Sequence, residues 1–296
     1  MSVKKLKING DNEGRRLDNY LLSIYKNIPK SKIYKIIRKG EVRVNSSRAK
    51  PYQKLCLDDL VRIPPIIQET IKLKKIVKTE DVKNHLSEVL HNDDNYLIIN
   101  KQRGVSVHGG SKNLIGLIDI VRHKYGDNLD LCHRLDKNTT GCLTFGKNKK
   151  AVKHFNEAIK NKQITKIYQV IVKGHLSKNI DVQSEIYKVN PNKTKDALSR
   201  FSIIKRLRNC TYAQVQIYTG RTHQIRIHSA SINHPVLFDN KYGDFIFNKS
   251  IQTTIQKSIA LHSKSIIFKD INSRPIEVNS SMPADFKKLI NELSLK

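Results

Sequence analysis

The 296-residue sequence contains no tryptophan and no run of about 18 apolar residues that could cross a bilayer. Its four cysteines are scattered and form no Cys-x-x-Cys pair, which argues against a structural zinc site and a disulfide scaffold. The start of the chain, residues 1–14, lacks the apolar stretch of a secretory signal. These absences predict a cytoplasmic protein in a reducing compartment.

Acidic side chains are also scarce. The chain has 26 Asp and Glu against 55 Lys and Arg, which gives a formal net charge of +29. Nucleic acid is the default partner of such a chain, because neutralising phosphates releases condensed counterions. An anionic membrane is the alternative, but the sequence shows neither a basic amphipathic helix with a large apolar face nor a lipidation motif. The mutual repulsion of like charges favours a monomer.

Residues 14–65 have the pattern of a compact unit of helices and strands. The first helix is predicted from apolar side chains that share one face: Leu17, Leu21 and Ile24. Ser31 is placed to begin a second helix, and Gly40 is placed to end it. Two strands are predicted from alternating or apolar residues, over 41–45 and 58–63.

The second helix carries its basic side chains away from its apolar face. They are Lys30, Lys32, Lys35, Arg38 and Lys39. A solvated surface face would show a similar pattern, but nothing acidic interrupts this stripe. Because fixed cations on a rigid helix can follow a row of phosphates, we predict that these five residues bind RNA.

The remainder of the chain is predicted to be a charged connector, residues 66–88, followed by a strand-rich region. The predicted strands lie at 96–100, 129–132, 142–145, 166–172 and 211–218. One helix is predicted from apolar side chains on a common face: Ala151, Val152, Phe155, Ala158 and Ile159. Another helix is predicted to begin at Thr222. The mixture predicts an α+β fold.

Residues 133–141, with the sequence HRLDKNTTG, form a polar loop between two predicted strands. Composition alone is typical of a plain turn. A calcium loop is excluded, because the twelfth position counted from Asp136 is Lys147 and not glutamate. A glycine-rich phosphate loop is excluded as well, because Gly109 and Gly110 lack the required spacing.

The motifs together resemble those of the large-subunit rRNA pseudouridine synthases that carry an S4 RNA-binding domain, and most closely their C-type members. The matching segments, in chain order, are residues 16–18, 36–40, 96–101, 107–110, 133–141, 166–168, 220–228, 234–235 and 238–244. Two places depart from the family pattern. Asn138 and Thr140 stand where an acidic residue and serine are more usual, and Gln102 stands where proline is usual.

The resemblance implies a small S4 RNA-binding domain in residues 14–75, followed by a mixed or antiparallel-sheet synthase domain in residues 88–296. It implies isomerisation of uridines to pseudouridine in large-subunit rRNA. That reaction breaks the N1–C1′ bond, rotates the uracil and rejoins it through C5. No net redox change occurs, so no cofactor and no metal is expected. A carboxylate can attack ribose C1′ or uracil C6, and the sequence leaves both open.

The resemblance also implies three catalytic residues, Asp136, Tyr168 and Arg226. Asp136 is the expected nucleophile, and we predict an ion pair with Arg226 because a nearby guanidinium keeps an enclosed carboxylate charged. A surface cation near a helix start is the alternative for Arg226. Tyr168 is expected to stack on the flipped uracil. Its alternation with Val170 fits core packing equally well.

Other residues are expected to contact the RNA. Arg134 is expected to fill the space that the flipped base leaves, and His133 and Arg221 are expected to lie against the substrate. A metal set of His133, His223 and His228 is the alternative for the histidines. No carboxylate or cysteine ligand pattern accompanies them, so we expect no metal and interpret the three histidines as structural or RNA-contacting.

Three rival functions differ in what they require of the sequence. A non-catalytic ribosome assembly factor predicts a damaged site, whereas Asp136, Tyr168 and Arg226 are all present. A synthase acting on tRNA is a nearer rival, although many of those lack an S4 domain. A nucleic-acid hydrolase predicts a carboxylate cluster for magnesium, which the sequence does not show.

Overall fold

The computed structural model describes residues 3–25, 28–65, 77–86, 88–109, 115–187 and 194–294. The chain divides into two compact units, residues 1–75 and 76–296. Most of the predicted connector, residues 66–76, and Gly110 of the 107–110 segment lie outside the described residues. No helix in the described ranges is long and apolar enough to cross a membrane.

The first unit combines two helices with a four-stranded antiparallel sheet of order β1-β4-β2-β3. A 3-10 turn at Gly10–Asn12 precedes the helices, which are α1 (Leu17–Ile24) and α2 (Lys30–Arg38). The strands are β1 (Lys4–Lys7), β2 (Arg43–Val44), β3 (Ser47–Arg48) and β4 (Leu60–Ile63). One core joins both helices to the sheet through buried apolar residues such as Leu17, Leu21, Ile33, Ile37 and Val61.

The predicted elements of this unit are confirmed with small shifts. Helix α2 begins directly after Pro29 and not at a Ser31 cap, because the φ of proline is already suited to a helix start. Gly40 ends the helix with φ +75°, as predicted. Strand β1 was not predicted, because its sequence KKLK is dominated by lysine. Lysine is typical of exposed edge strands, and β1 lies at the edge of the sheet.

The second unit is built on a ten-stranded sheet whose main path runs β10-β11-β12-β9-β13-β8-β6-β5. Strand β14 pairs with β13, and β7 pairs with β8. The strands are β5 (Val89–Asn92), β6 (Tyr96–Lys101), β7 (Asp130–Leu131), β8 (Thr140–Gly146), β9 (Thr165–Lys173), β10 (Ile180–Tyr187), β11 (Thr194–Leu207), β12 (Cys210–Ile217), β13 (Leu261–Lys269) and β14 (Pro275–Asn279). Because β13 runs parallel to β8 while its other pairs are antiparallel, the sheet is mixed, and the predicted α+β class is confirmed.

Helices flank the strands along the chain of this unit. They are α3 (Thr79–His85), α4 (Leu117–Tyr125), α5 (Lys149–Lys160), α6 (Gln224–Ser231), α7 (Phe245–Ser250) and α8 (Ala284–Leu293). Helix α5 confirms the predicted apolar face. The helix predicted at Thr222 begins two residues later, after His223 in a left-handed conformation. The prediction of a connector up to residue 88 was wrong where α3 forms, because seven mostly polar residues show little periodicity.

The central strands bring distant loops to one place. The register pairs Tyr168 of β9 with Val215 of β12 and with Ser263 of β13. Gly141 allows β8 to approach β13 closely, since a Cβ at this position would lie 2.1 Å from the Ser263 carbonyl oxygen. Its φ of +107° also favours glycine. The start of β8 is thereby held against β13, which pairs with β9 on its other side.

Candidate active site

Asp136 lies in the loop between β7 and β8, and a buried lysine holds that loop in place. Lys101 is fully buried, and its Nζ donates to the carbonyl oxygens of Gln102 (3.0 Å), Lys137 (2.8 Å) and Thr139 (2.9 Å). The Thr139 N–H donates to the Asp136 carbonyl oxygen at 3.1 Å. Burial lowers the pKa of Lys101 to about 7. The predicted polar turn is thus a loop with a fixed backbone.

The predicted ion pair between Asp136 and Arg226 is present. Arg226 Nη1 donates to Asp136 Oδ2 at 2.8 Å. The Arg226 side chain is 9% exposed and the Asp136 side chain 30%, so the carboxylate faces solvent while its partner is enclosed. Arg226 is therefore not the surface cation of the alternative interpretation.

A second carboxylate holds the other side of the same guanidinium. Arg226 donates through Nε to Asp239 Oδ2 at 2.7 Å and through Nη2 to Asp239 Oδ1 at 2.8 Å. Asp239 is fully buried and also accepts the backbone N–H groups of Lys241 and Tyr242. Burial acts to raise the pKa of Asp239, but these hydrogen bonds outweigh it and hold the pKa below its usual value. Arg226 thus bridges one buried and one accessible carboxylate.

Tyr242 and His223 complete the surroundings of Asp136. The Arg226 guanidinium carbon lies 5.2 Å from the centre of the Tyr242 ring, within the range of a cation–π contact. The Tyr242 hydroxyl lies 3.1 Å from His223 Nδ1, and His223 Nε2 lies 3.7 Å from Asp136 Oδ1. His223 has a left-handed φ of +56°, a conformation that is uncommon outside glycine and recurs at functional sites. Burial lowers the pKa of His223, which favours the neutral imidazole.

Tyr168 belongs to the apolar core and to the site at once. It is 6% exposed and belongs to the largest core cluster of this unit, as its alternation predicted. The same residue lines a cleft together with Asp136 and His223. Burial raises the pKa of Tyr168, so its hydroxyl is protonated at neutral pH. Tyr168 therefore packs in the core and also lines a cleft.

Two clefts meet at Asp136. The larger has a volume of 680 Å³ and extends past Gly104 and Lys257, and the smaller has a volume of 410 Å³ and extends past Tyr168. Arg134 is exposed and lines both clefts, whereas Arg221 is half-buried and lines the smaller one. The two arginines predicted to contact RNA thus lie beside the candidate nucleophile.

His133 has a structural role in this arrangement. Its Nε2 accepts the Thr144 N–H at 3.1 Å, and its ring stacks on Phe155 at 5.9 Å between centroids. Burial lowers its pKa to about 3, so the imidazole is neutral at ordinary pH. His228 is buried and bonded to Ser184 and Ser199 instead. Among the described residues no group of three or more His, Cys, Asp or Glu could hold a metal ion. A contact between His133 and RNA stays a prediction.

The basic stripe of the first unit is exposed. Lys30, Lys32, Lys35, Arg38 and Lys39 all face solvent along α2. Buried Asp18 ties this helix to α1, because it accepts a hydrogen bond of 2.5 Å from the Tyr34 hydroxyl and one of 2.6 Å from Arg16. The cations therefore stand on a helix of defined position, as a phosphate-binding face requires.

Comparison with known proteins agrees with this architecture. The family profile described as RNA pseudouridylate synthase matches residues 95–231, and the S4 domain profile matches residues 15–61. A human protein, RNA Pseudouridylate Synthase Domain Containing 4, has the same fold over 72% of this chain and 95% of its own, with a TM-score of 0.60 and 22% identity. Fold and site thus define an RNA-modifying isomerase with an S4 RNA-binding unit.

Curated bacterial relatives extend over nearly the whole chain. Ribosomal large subunit pseudouridine synthase C of Haemophilus influenzae is 37% identical over 310 residues, which covers 99% of this chain and 95% of that protein. The Pasteurella multocida protein of the same name is 35% identical over 308 residues, with coverages of 99% and 94%. The chain therefore belongs to the RNA pseudouridylate synthase family, as the motifs predicted, and is an enzyme of that family.

Three residues of the site were given no role by the sequence analysis. Asp239 and Tyr242 belong to the 238–244 segment, but nothing in the local pattern shows that they hold Arg226. Lys101 lies at the end of a buried strand. A lysine at the end of a mostly apolar run is the one sequence feature that could have indicated its role in the site. His223 was interpreted as structural or RNA-contacting, and it lies next to Asp136.

Proposed function

We propose that this enzyme converts specific uridines of large-subunit ribosomal RNA to pseudouridine, with Asp136 as the nucleophile. The observation that carries the proposal is the partly exposed Asp136 carboxylate, held by buried Arg226 at the junction of two clefts. The names of the curated relatives support the substrate class. Asp136 attacks either C1′ of the ribose or C6 of the uracil, and both attacks suit a carboxylate.

Each neighbour of Asp136 has a distinct task in this proposal. Arg226 holds the carboxylate in place at the junction of the two clefts through the hydrogen bond from its Nη1. Tyr168 stacks on the flipped uracil, whose removal from the RNA stack costs a few kcal/mol. Arg134 occupies the space that the base vacates. Arg221 and His133, which line the smaller cleft, contact the same nucleotide.

The two domains have separate tasks in this proposal. An S4 domain in residues 14–75 binds phosphates through its exposed stripe of lysines and arginine, and a synthase domain in residues 88–296 performs the isomerisation. A net charge of +29 gives strong, salt-dependent attraction to RNA and keeps copies of the chain apart, so the enzyme acts as a monomer. It works where bacterial ribosomal RNA is located, in the cytoplasm.

The direct test is complementation of a bacterial host that lacks its own large-subunit synthases. Wild type, Asp136→Asn and Asp130→Asn are expressed, and pseudouridine is mapped in all stable RNAs by carbodiimide labelling and primer extension. Asp130 is the matched control, because it is exposed on β7 a few residues before the loop. We expect wild type and Asp130→Asn to restore pseudouridine at the same large-subunit sites and Asp136→Asn to restore none.

Other outcomes would contradict separate parts of the proposal. Pseudouridine that appears only in tRNA would retain the chemistry and overturn the substrate. Pseudouridine formation by Asp136→Asn would overturn the nucleophile. Binding of all three proteins to ribosomal precursors without any modification would replace catalysis by an assembly function.

A further inference from the structure

Lys166 is a buried cation that has no partner among the described residues. It is 5% exposed, and among the described residues it makes no hydrogen bond or ion pair. It lies two positions before Tyr168 in β9, so the two side chains point to the same face of the sheet. Lys101 is also buried, yet its Nζ donates to three carbonyl oxygens. The two lysines therefore differ in how their charge is satisfied.

The surroundings of Lys166 offer positive charge and open space. Lys166 and Arg221 line the smaller cleft with Tyr168 and Asp136. The Arg221 Nε donates to the Asp196 carbonyl oxygen at 3.1 Å, and within the described chain its terminal nitrogens have no protein acceptor. Gly220 leaves room above the ammonium group, since a Cβ there would lie 3.3 Å from Lys166 Nζ.

The unpaired state of Lys166 is unfavourable for the free protein. Removing most of the hydration of an ammonium group without a counter-charge costs free energy. Burial, together with the nearby charge of Arg221, lowers the pKa of Lys166 to about 8. Asp136 is the acid of this cleft, and Arg226 already binds it. An anionic ligand that enters the cleft would remove this penalty.

We propose that Lys166 and Arg221 form a binding site for the phosphodiester group adjacent to the target uridine. The proposal rests on the proposed function, because the ligand is the RNA whose base enters the same cleft. RNA supplies one such anion per nucleotide. A planar guanidinium and an ammonium group together suit a phosphate, because the arginine can donate two parallel hydrogen bonds and the lysine a third. The volume of 410 Å³ is in the usual range for a site of ligand size.

The site gives the enzyme a means to couple affinity to base flipping. The phosphate reaches Lys166 only when the nucleotide has entered the cleft beside Tyr168. A contact made only in that state stabilises the flipped nucleotide relative to the stacked one, and it thereby offsets part of the unstacking free energy. The lysine stripe of the S4 unit, in contrast, is exposed and available to any RNA.

The test replaces single phosphates of an RNA fragment by neutral methylphosphonates. The fragment contains a uridine mapped in the complementation experiment, and one linkage around it is replaced in each RNA. Wild type, Lys166→Gln and Lys150→Gln are assayed for kcat/KM on every fragment. Lys150 is the matched control, because it is an exposed lysine of α5. We expect one linkage next to the uridine to cost wild type and Lys150→Gln roughly 10- to 100-fold.

Lys166→Gln is expected to show a different pattern. On the all-phosphate RNA, its kcat/KM is expected to be lower than that of wild type by a similar factor. The critical methylphosphonate should then cause no further loss, because the effects of removing two partners of one contact are not additive. If every methylphosphonate penalty in Lys166→Gln equals that in wild type, the phosphate site is overturned. Equilibrium binding of the same fragments, measured by fluorescence anisotropy, compares the methylphosphonate penalties of wild type and Lys166→Gln in Kd, even if no pseudouridine forms. Failure of this site and failure of the proposed function are thus distinguishable.

Stability provides a second, independent readout. We expect Lys166→Met to raise the unfolding midpoint, because it removes an unpaired buried charge, while it weakens RNA binding. Lys101→Met is the comparison, and we expect it to lower the midpoint because three carbonyl oxygens lose their donor. A Lys166→Met variant that is destabilised like Lys101→Met would show that Lys166 supports the fold, and the proposal would be abandoned.

Discussion

Asp239 and Arg226 form a buried two-point ion pair, and this pair leaves a single guanidinium nitrogen for Asp136. The two bonds to Asp239 measure 2.7 and 2.8 Å, and the bond from Nη1 to Asp136 measures 2.8 Å. Because Asp239 is itself held by two backbone N–H groups, the orientation of Arg226 does not depend on Asp136 or on substrate. The cation beside the candidate nucleophile is preorganised.

Replacement of Asp239 tests this preorganisation. We expect Asp239→Asn to lower kcat by about 100-fold, because a small displacement of a catalytic group has effects of that order, while KM changes little. It should also destabilise the protein by about 3 kcal/mol, since it disrupts a buried ion pair. Steady-state kinetics and urea unfolding check both effects.

A surface pair supplies the control for that variant. Asp181 accepts two hydrogen bonds of 2.8 Å from Arg200 in the same two-point geometry, but both side chains are about half exposed. Asp181→Asn should leave kcat and the unfolding midpoint essentially unchanged, because exposed ion pairs contribute little. Equal losses in the two variants would show that burial and position in the site do not matter, contrary to our account.

The anchoring of the Asp136 loop by Lys101 gives a second prediction. We expect Lys101→Met to destabilise the protein by about 2 kcal/mol, because the carbonyl oxygens of Lys137 and Thr139 lose a buried donor. Activity should fall more than stability explains, since the loop carries the candidate nucleophile. Hydrogen exchange of the Thr139 amide, which bonds to the Asp136 carbonyl, is the measurement. Unchanged protection of that amide would contradict the anchoring role.

Two glycines near the site predict different responses to alanine. Gly104 has φ +86°, and a Cβ added there would meet nothing within 4 Å. Gly104→Ala should therefore lower the unfolding free energy only through backbone strain, by about 1–2 kcal/mol. Gly141 has φ +107°, and its Cβ would overlap the Ser263 carbonyl oxygen. Gly141→Ala should therefore lose more, about 3 kcal/mol or above. Chemical unfolding of both variants compares them, and equal losses would rule out the close approach of β8 and β13.

The neutral state of His133 makes stability depend on pH. Its folded-state pKa of about 3 lies below the unfolded value of 6.5, so the unfolded chain binds the extra proton between these two values. This contribution to stability is complete above pH 6.5 and is lost as pH falls towards 3. Between pH 4 and 6, the unfolding free energy of His133→Gln should change less steeply than that of wild type, by up to about 1.4 kcal/mol per pH unit. Parallel curves would contradict a neutral imidazole at this position.

Local patterns were sufficient for much of this molecule. Helices α1, α2 and α5 and strands β6, β8, β9 and β12 follow from apolar spacing, because each repeat reflects one buried face. Elements with few apolar residues, such as β1 and α3, were missed because pairing and packing with distant segments stabilise them. The start of α6 was displaced because the left-handed His223 precedes it.

The sequence by itself indicated RNA as the class of partner, through an excess of positive charge. It also located the loop that carries Asp136, through an ordered set of motifs. Only the tertiary structure decided that Asp239, Tyr242 and Lys101 support that loop and its arginine. The bond from Arg226 to Asp136 joins residues 90 positions apart, and the bond from Lys101 to Thr139 joins residues 38 apart. Contacts over such separations depend on strand order and register, which no local repeat specifies.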